Sequence, residues 1–525
     1  MTAMSAGGGN GAAAGAERTA DVVIIGGGHN GLVAAAYLAR AGRSVVVLEV
    51  RDRLGGAVAS EQVFPGVGAR LSRFSYLVSL LPQKIIDDLG LELELRSRAV
   101  GSYSPVDDHG LLVERPEGTA TRDSFAELTG GPEAYEAWQL FHDDLGRFAR
   151  VVAPTLTEPL PRAGAIAHRV GAELMTAITE QPIGDLVTRT FADDTIRGTI
   201  LTDALIGTEA GVHDQSLVQN RCFLYHVIGN STGEWKVPVG GMGAVAASLI
   251  DAAREAGAEV ALNQRVRSLT RDHDRWTVTT SSGTWQAPYV LANCAAHTLA
   301  GLLGEQAPKP EGNQLKINMV LKRLPRLRSG LDPKTAFAGT LHLHQGYEEL
   351  QAAHAAALAG KLPDPFPCEV YCHSLTDPSI LDPELVEQGW HTLTLFGLHT
   401  PASLFVRDPD AVRHQARDAA LASLQSVLAE PLEDCLATDA NGDLCIEVMT
   451  PLDVEAAVGM PGGHIFHGEL SWPWLADDEP TTTAAERWGV ASGHEGLLVC
   501  GSSSRRGGAV SGLGGHSAAM ALLED

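Results

Sequence analysis

Three sets of residues in this chain have the types and spacing to do chemistry. The first is the run GGGHNG, in which Gly26, Gly28 and Gly31 keep a GxGxxG spacing and enclose His29 and Asn30. Such a set permits a tight turn, lets a pyrophosphate reach the backbone, and lets a helix pack closely on a strand, so it reads as a dinucleotide turn. The second is Glu49, 18 residues beyond Gly31. That is near the roughly 20 expected for a carboxylate that accepts both hydroxyls of an adenosine ribose. The third is dispersed: His464, His467 and Glu469 in GGHIFHGEL, and Lys316 with Asn318 in LKINMVL. An imidazole relays a proton near neutral pH, which makes His467 a candidate catalytic group. Lys316 is a second candidate, set against the reading that it alternates with Ile317 on a strand and faces solvent. His29, inside the turn, reads as a cofactor neighbour rather than a base.

Each set needs elements to hold it. Val22 to Ile25 is a short, apolar, β-branched run, the pattern of a strand buried on both faces of a parallel sheet. A helix then runs through LVAAAYLARA and stops at Gly42. Its free N-terminal amides and dipole make an anion site, each contact worth roughly 0.3–1 kcal/mol. Ser44 to Leu48 is a second buried strand that ends at Glu49. Downstream, RWTVTTSSGTWQAPYVLANCA reads as a hairpin turning at Ser282 and Gly283, followed by a buried strand ending at Asn293 and Cys294. The C-terminal stretch EGLLVCGSSSRRGGAVSGLGGHSAAMALLED reads as a strand, a glycine-rich loop and a helix beginning near Ser511.

The bulk composition narrows the classes. At 525 residues, with 44% hydrophobic and 20% charged positions, the chain is globular and long enough for two to four units of roughly 100–200 residues. Residues 1–20 are Ala/Gly-rich and read as a flexible tail, without the basic start and apolar block of a secretory signal. No apolar run approaches the roughly 18 residues of a membrane-spanning helix. A net charge of -25 argues against nucleic acid or an anionic membrane as a bulk partner. Seven scattered Cys residues read as the reduced thiols of a cytoplasmic protein. The tightest cluster, Cys368, Cys372 and His373, lacks a second ligand pair, so no metal is expected. No Ser-His-Asp set, zincin motif or P-loop offers a rival engine.

After Glu49 comes VRDRLGGAV, which places Arg51, Gly55 and Gly56 in one short loop. Acid, base and paired glycines resemble the extended fingerprint of the FAD-binding amine-oxidase and phytoene-desaturase superfamily. WKVPVGGMGAVAASLIDAAREAGAEVALNQRVRSL and the C-terminal glycine loop match the same superfamily. LTDALIGTEAGVHD, LKINMVLKRLP and LDVEAAVGMPGGHIFHGEL narrow the resemblance to the phytoene-dehydrogenase-related FAD-dependent oxidoreductases. Within these it points to the group of the pyridine nucleotide-disulphide oxidoreductase domain-containing protein two. The resemblance runs from about Asp21 to the C-terminus, although no CxxC pair supports disulphide chemistry.

The resemblance implies FAD as cofactor and an α/β fold: a discontinuous Rossmann-type FAD domain, p-hydroxybenzoate-hydroxylase-like, with an inserted α+β substrate domain. The FAD domain would take residues 21–100, 235–313 and 475–525, and the substrate domain residues 101–234 and 314–474. It implies that Gly26, Gly28, His29, Asn30, Gly31 and Glu49 surround the nucleotide. Arg51 would lie near adenosine, Gly55 and Gly56 near the pyrophosphate, and the backbone of Val266 against adenine. Gly501, Gly508, Val510 and Ser511 belong to the loop and helix start whose amides would face the flavin N1 and C2 carbonyl, stabilising a reduced anionic ring. Where relatives carry His-Pro-Gly-Gly-Gly-Val this chain has Arg505 and Arg506, two guanidiniums expected beside the flavin edge, on an acidic substrate group, or in solvent. His464 stands where relatives more often have Asn.

The implied reaction is dehydrogenation or desaturation of an apolar, isoprenoid- or polyketide-like substrate by hydride transfer to flavin N5, with oxygen or a quinone as acceptor. Trp472 and Trp474 are candidates to line the tunnel, set against apolar core packing as the commoner fate of such residues. The alternatives are a double-bond isomerase using reduced FAD, an amine oxidase, or a protein that keeps FAD for stability and acts through partners. No aromatic lies in Gly501 to Gly515, which argues against the amine-oxidase branch. Oligomeric state and peripheral membrane contact carry no signal in the sequence.

Overall fold

A computed structural model describes residues 18–524. Its first sheet has five parallel strands in the order Glu259–Ala261, Val45–Leu48, Val22–Ile25, Tyr289–Ala292 and Leu497–Val499. Three distant stretches of chain thus share one sheet, with Val22–Ile25 at its centre. Val22–Ile25 and Val45–Leu48 are buried along their whole length, as apolar β-branched runs in a parallel sheet must be. The helix His29–Arg40 crosses from one to the other, and its face of Ala34, Ala35 and Ala36 is fully buried. Against it lies the C-terminal helix Leu513–Glu524, so close that a Cβ on Gly515 would stand 1.9 Å from the Asn30 carbonyl oxygen. That helix begins two residues later than the sequence suggests. Gly512 has φ +70°, and Ser511 precedes the helix with its hydroxyl accepting the Leu513 N–H at 3.2 Å.

The hairpin Arg275–Thr280 and Thr284–Ala287 forms a second sheet with Val266–Asp272. Arg18–Thr19 adds a parallel strand to its edge, pairing with Trp285 and Gln286. The tail expected over residues 1–20 is therefore corrected at its end; residues 1–17 lie outside the described residues.

The third sheet has seven strands in the order Ile446–Met449, Asn313–Leu321, His391–Pro401, Cys368–Tyr371, Thr340–Leu343, Val100–Val106 and His109–Glu114. Val100 and Asn313 already pair here, so the boundaries drawn at 100 and 313 each fall one residue late. Period-two alternation gives this sheet two characters. Leu315, Ile317, Leu341, Val370 and Leu395 pack into an apolar core closed by the helix Pro409–Ser426. The opposite face carries Lys316, Asn318, His342, Glu369 and Tyr371, and all five are buried. Helices between Thr119 and Ile228 cover the remaining side with a large apolar cluster. The expectation that Lys316 faces solvent is thus overturned: its strand is buried on both faces, so alternation separates core from cavity instead of core from water.

The close helix contact sets a first test. Gly515→Ala should destabilise the fold by roughly 1–3 kcal/mol, the cost of overpacking against backbone that cannot retreat. Gly301→Ala, whose Cβ would meet nothing within 4 Å, should be neutral or stabilising by up to about 1 kcal/mol. Urea unfolding of the two variants measures the difference, and equal stabilities would contradict the packing described.

Candidate functional site

Between the ends of the five-stranded sheet and the polar face of the seven-stranded sheet lies a cavity of about 860 Å³. At one end it meets the glycine turn. Gly26, with φ +102°, turns the chain out of its strand, and residues from the two neighbouring strands clamp the turn. From one side Glu49 accepts the Gly27 N–H at 2.8 Å and the Arg51 N–H at 2.9 Å. From the other, Asn293 donates from Nδ2 to the Gly26 carbonyl at 2.9 Å. The helix that starts at His29 has no side-chain cap and no acid in its first turn. Its first amides are therefore free donors for an anion.

Of the residues expected at a cofactor, Gly26, Gly28, His29, Glu49, Arg51, Gly56, Val266 and Val510 line the cavity. Asn30, Gly31, Gly55, Gly501, Gly508 and Ser511 are not among its lining residues and stand just behind them. They shape it by close approach: a Cβ would lie 2.3 Å from the Gly26 oxygen at Gly31, 2.8 Å from the Val58 oxygen at Gly55, and 2.3 Å from Leu470 Cδ2 at Gly508. Asn30 is buried with both side-chain polar atoms unpartnered among the described residues.

His29, His464 and His467 lie near one another, His464 buried and the other two half-buried at the cavity wall. His29 Nε2 lies 3.2 Å from the Ala509 carbonyl, tying the turn to the C-terminal loop. Burial, with the neighbouring His467, pulls His29 to about 4, and burial likewise pulls His464 and His467 to about 4. All three are neutral at pH 7. His29 and His467 line the cavity, and His467 adopts φ +63° with an Nδ1 that has no partner among the described residues.

The far wall holds polar groups that pair across the sheet in rows. Lys316 stands opposite Phe396, Phe396 opposite Glu369, and Glu369 opposite His342; Asn318, Thr394 and Tyr371 form the next row. Lys316 Nζ donates to the Ser72 carbonyl at 2.7 Å and the Phe74 carbonyl at 2.6 Å, and lies 4.6 Å from the centre of the Tyr76 ring. Burial pulls its ammonium down to about 7, close to neutrality, where a group gives and takes protons. The Tyr371 hydroxyl donates to Glu369 at 2.5 Å, and burial pushes that carboxyl up to about 7. The Tyr76 and Tyr371 rings are 5.0 Å apart. Trp138, Phe141, Leu145, Ile200, Phe223 and Phe466 complete an apolar lining.

The guanidiniums expected at the flavin edge lie elsewhere, and the two tryptophans take the core-packing alternative. Arg505 donates to the Trp474 carbonyl at 2.6 Å and pairs with Glu479, while Arg506, 1% exposed, donates to the Leu156 and Glu158 carbonyls. Neither lines the cavity: backbone carbonyls of the insertions capture both guanidiniums, which bolt the loop down. Trp472 and Trp474 stack on each other at 5.3 Å, with Trp474 against Phe148, away from the cavity. Sequence reasoning missed Tyr76, Arg98, His342, Glu369, Tyr371 and the clamp at Asn293. The available signal was the alternation of polar residues in LHLH and CEVY, on the same strands as the apolar core positions.

The NAD(P)-binding Rossmann-like domain family matches residues 24–84. An uncharacterised protein of Mycobacterium tuberculosis is 47% identical over 513 residues, covering 94% of this chain and 95% of that one. Pyridine nucleotide-disulfide oxidoreductase domain-containing protein 2 of Rattus norvegicus is 28% identical, covering 95% and 92%. Among solved structures, cyclohexylamine oxidase from Brevibacterium oxydans shares the fold with a TM-score of 0.57 at 16% identity, over 96% of this chain and 99% of that one.

The neutral imidazoles have a consequence for stability. An unfolded imidazole takes its proton near 6.5, so between about 6.5 and about 4 the unfolded chain binds more protons than the folded one. Stability therefore falls as pH falls through that window, by on the order of 1.4 kcal/mol per pH unit for each imidazole. Glu369, raised to about 7, works in the opposite sense by one proton and is outnumbered. Unfolding free energy measured across the window should drop steeply in the wild type and less steeply in His467→Gln. Superimposable curves would contradict a desolvated, neutral His467.

Proposed function

The chain belongs to a family of FAD-dependent oxidoreductases, and from that premise we propose that it binds FAD at the glycine turn and dehydrogenates an apolar substrate held against the seven-stranded sheet. The observation that carries this reading is the continuity of one cavity, from the clamped turn to Lys316, Tyr76 and the aromatic walls. A cofactor held at the turn and a substrate on the sheet would share one enclosed space.

The residues present fit the group. The uncapped amides at Gly28 and beyond suit a pyrophosphate, and the cradle behind them leaves no room for side chains. Glu49 uses one lone pair on each oxygen for the Gly27 and Arg51 amides, which leaves acceptor capacity for the hydroxyls of a ribose. Bound FAD supplies a two-electron acceptor at its N5. The chain's own part is to orient, dry and relay. Trp138, Phe141 and Phe223 exclude water. Lys316, fixed by two carbonyls and poised near pH 7, holds or releases a proton on the cavity wall. His467 offers a neutral ring, an acceptor rather than a cation. Oxygen or a quinone would take up the electrons. A cytoplasmic location is part of this proposal and agrees with seven free cysteines; among the described residues no helix is long and apolar enough to cross a membrane.

Oxidation of an amine is the second reading, and one observation favours it. The aromatic pair missing from residues 501–515 exists elsewhere, as Tyr76 and Tyr371. Against it, the Lys316 ammonium already lies over the Tyr76 ring, where an amine cation would have to sit.

Purified protein should release FAD on denaturation, identified by mass; a chain that neither carries nor takes up a flavin contradicts the proposal. Glu49→Ala should retain FAD at least about tenfold more weakly, since hydrogen bonds to a buried carboxylate are worth roughly 1.5–3 kcal/mol. Equilibrium dialysis of the variant checks it, and unchanged affinity would show that the ribose sits elsewhere.

A further inference from the structure

Of the cationic groups around the cavity, Arg265 is exposed and Arg51 half-buried, with the Gly56 carbonyl at 3.3 Å, and the others are mostly held by partners. Arg73 pairs with Glu61 at 2.9 Å and Glu447 at 2.7 Å, Arg115 has Glu234 at 4.0 Å, and Lys316 is held by two carbonyls. Arg98 is different. It is 8% exposed and lines the cavity, yet among the described residues no carboxylate oxygen comes within 4.0 Å of it. Its one hydrogen bond runs from Nη1 to Thr340 Oγ1 at 3.1 Å, and its guanidinium lies 5.7 Å from the centre of the Tyr371 ring. A guanidinium has five N–H donors, so most of this fork points at no acceptor.

A desolvated, unpaired cation is costly, and a bidentate anion is the partner that its planar geometry fits best. The two nearby acids do not serve: Glu234 faces Arg115 at 4.0 Å and Lys236 at 3.9 Å. Glu369 is engaged by the Tyr371 hydroxyl, and burial leaves its carboxyl near the point of protonation at pH 7. The apolar walls, Trp138, Phe141 and Phe223 among them, leave the rest of the chamber suited to a hydrocarbon.

We propose that Arg98 is a specificity-determining residue that binds the carboxylate of an amphipathic substrate, whose hydrocarbon part lies along the aromatic walls. Thr340 positions the guanidinium from one side, and the Tyr371 ring supports it from another. The chain therefore selects an apolar acid over the matching alcohol or amine. This rests on the reading of the cavity as a substrate chamber and adds the chemistry of the substrate's polar end.

Three probes that differ only in head group test it: decanoate, 1-decanol and decylamine, each titrated calorimetrically into the flavin-loaded protein. Decanoate should bind at least about tenfold more tightly than either of the others, a difference of about 1.4 kcal/mol. Arg98→Gln should erase that preference while leaving decanol binding unchanged, and Arg98→Lys should keep part of it. Equal binding of all three probes, no binding, tightest binding of decylamine, or a preference that survives Arg98→Gln would each overturn the proposal. Should Arg98→Gln fail to fold, the wild-type preference and its reduction in Arg98→Lys decide the matter. The flavin spectrum of every sample separates this outcome from the cofactor reading. A chain without flavin that still prefers decanoate sinks the FAD proposal alone, and a flavin-loaded chain without the preference sinks only this one.

Discussion

The turn after Ile25 is clamped from both sides, and the remainder of the site depends on that clamp. Glu49, at the end of one neighbouring strand, fixes the amides of Gly27 and Arg51; Asn293, at the end of the other, fixes the Gly26 carbonyl. Each clamp residue sits at the carboxyl end of a parallel strand, which is where an open α/β sheet presents its crevice. With the turn held, the amides at the start of the next helix stay uncommitted and aim into the cavity. The same turn carries His29, whose contact with the Ala509 carbonyl brings the C-terminal loop to the rim. Three distant stretches of chain therefore build one edge of the cavity, and none of them does so alone.

The opposite wall obeys a different rule. The seven-stranded sheet is buried on both faces, so its polar face cannot be a solvent face and has to be satisfied inside the protein. Lys316 solves this with the Ser72 and Phe74 carbonyls and the Tyr76 ring, Glu369 with Tyr371, and Asn318 with Glu447. Burial brings Lys316 and Glu369 close to neutral pH from opposite directions. The wall thus carries proton-exchanging groups without carrying a large fixed charge, which suits an apolar chamber.

What was legible in the sequence is what short-range physics determines. The glycine turn, the two buried strands beside it, the hairpin at Ser282 and Gly283 and the acid at Glu49 each depend on residues within about one supersecondary unit, and each lies where its pattern says. The errors came where long-range contacts choose the environment. Lys316 has the alternation of a half-exposed strand, but a distant loop, Ser72 to Phe74, covers it. Arg505 and Arg506 lie in the expected loop, yet carbonyls supplied by the insertions, together with Glu479, turn them away from the cavity. Arg98 has no local motif at all; its meaning depends on Thr340 and Tyr371, both more than 200 positions away.

The account comes down to electrons leaving an apolar molecule inside this cavity for the flavin of an FAD anchored at the clamped turn. Anaerobic mixing of the flavin-loaded protein with a panel of apolar acids and alcohols, monitored by the visible absorbance of the bound flavin, tests that most directly. The account predicts bleaching by a dehydrogenatable member of the panel and return of colour when oxygen or a quinone is admitted. A flavin that dithionite bleaches and every such compound leaves oxidised would contradict it.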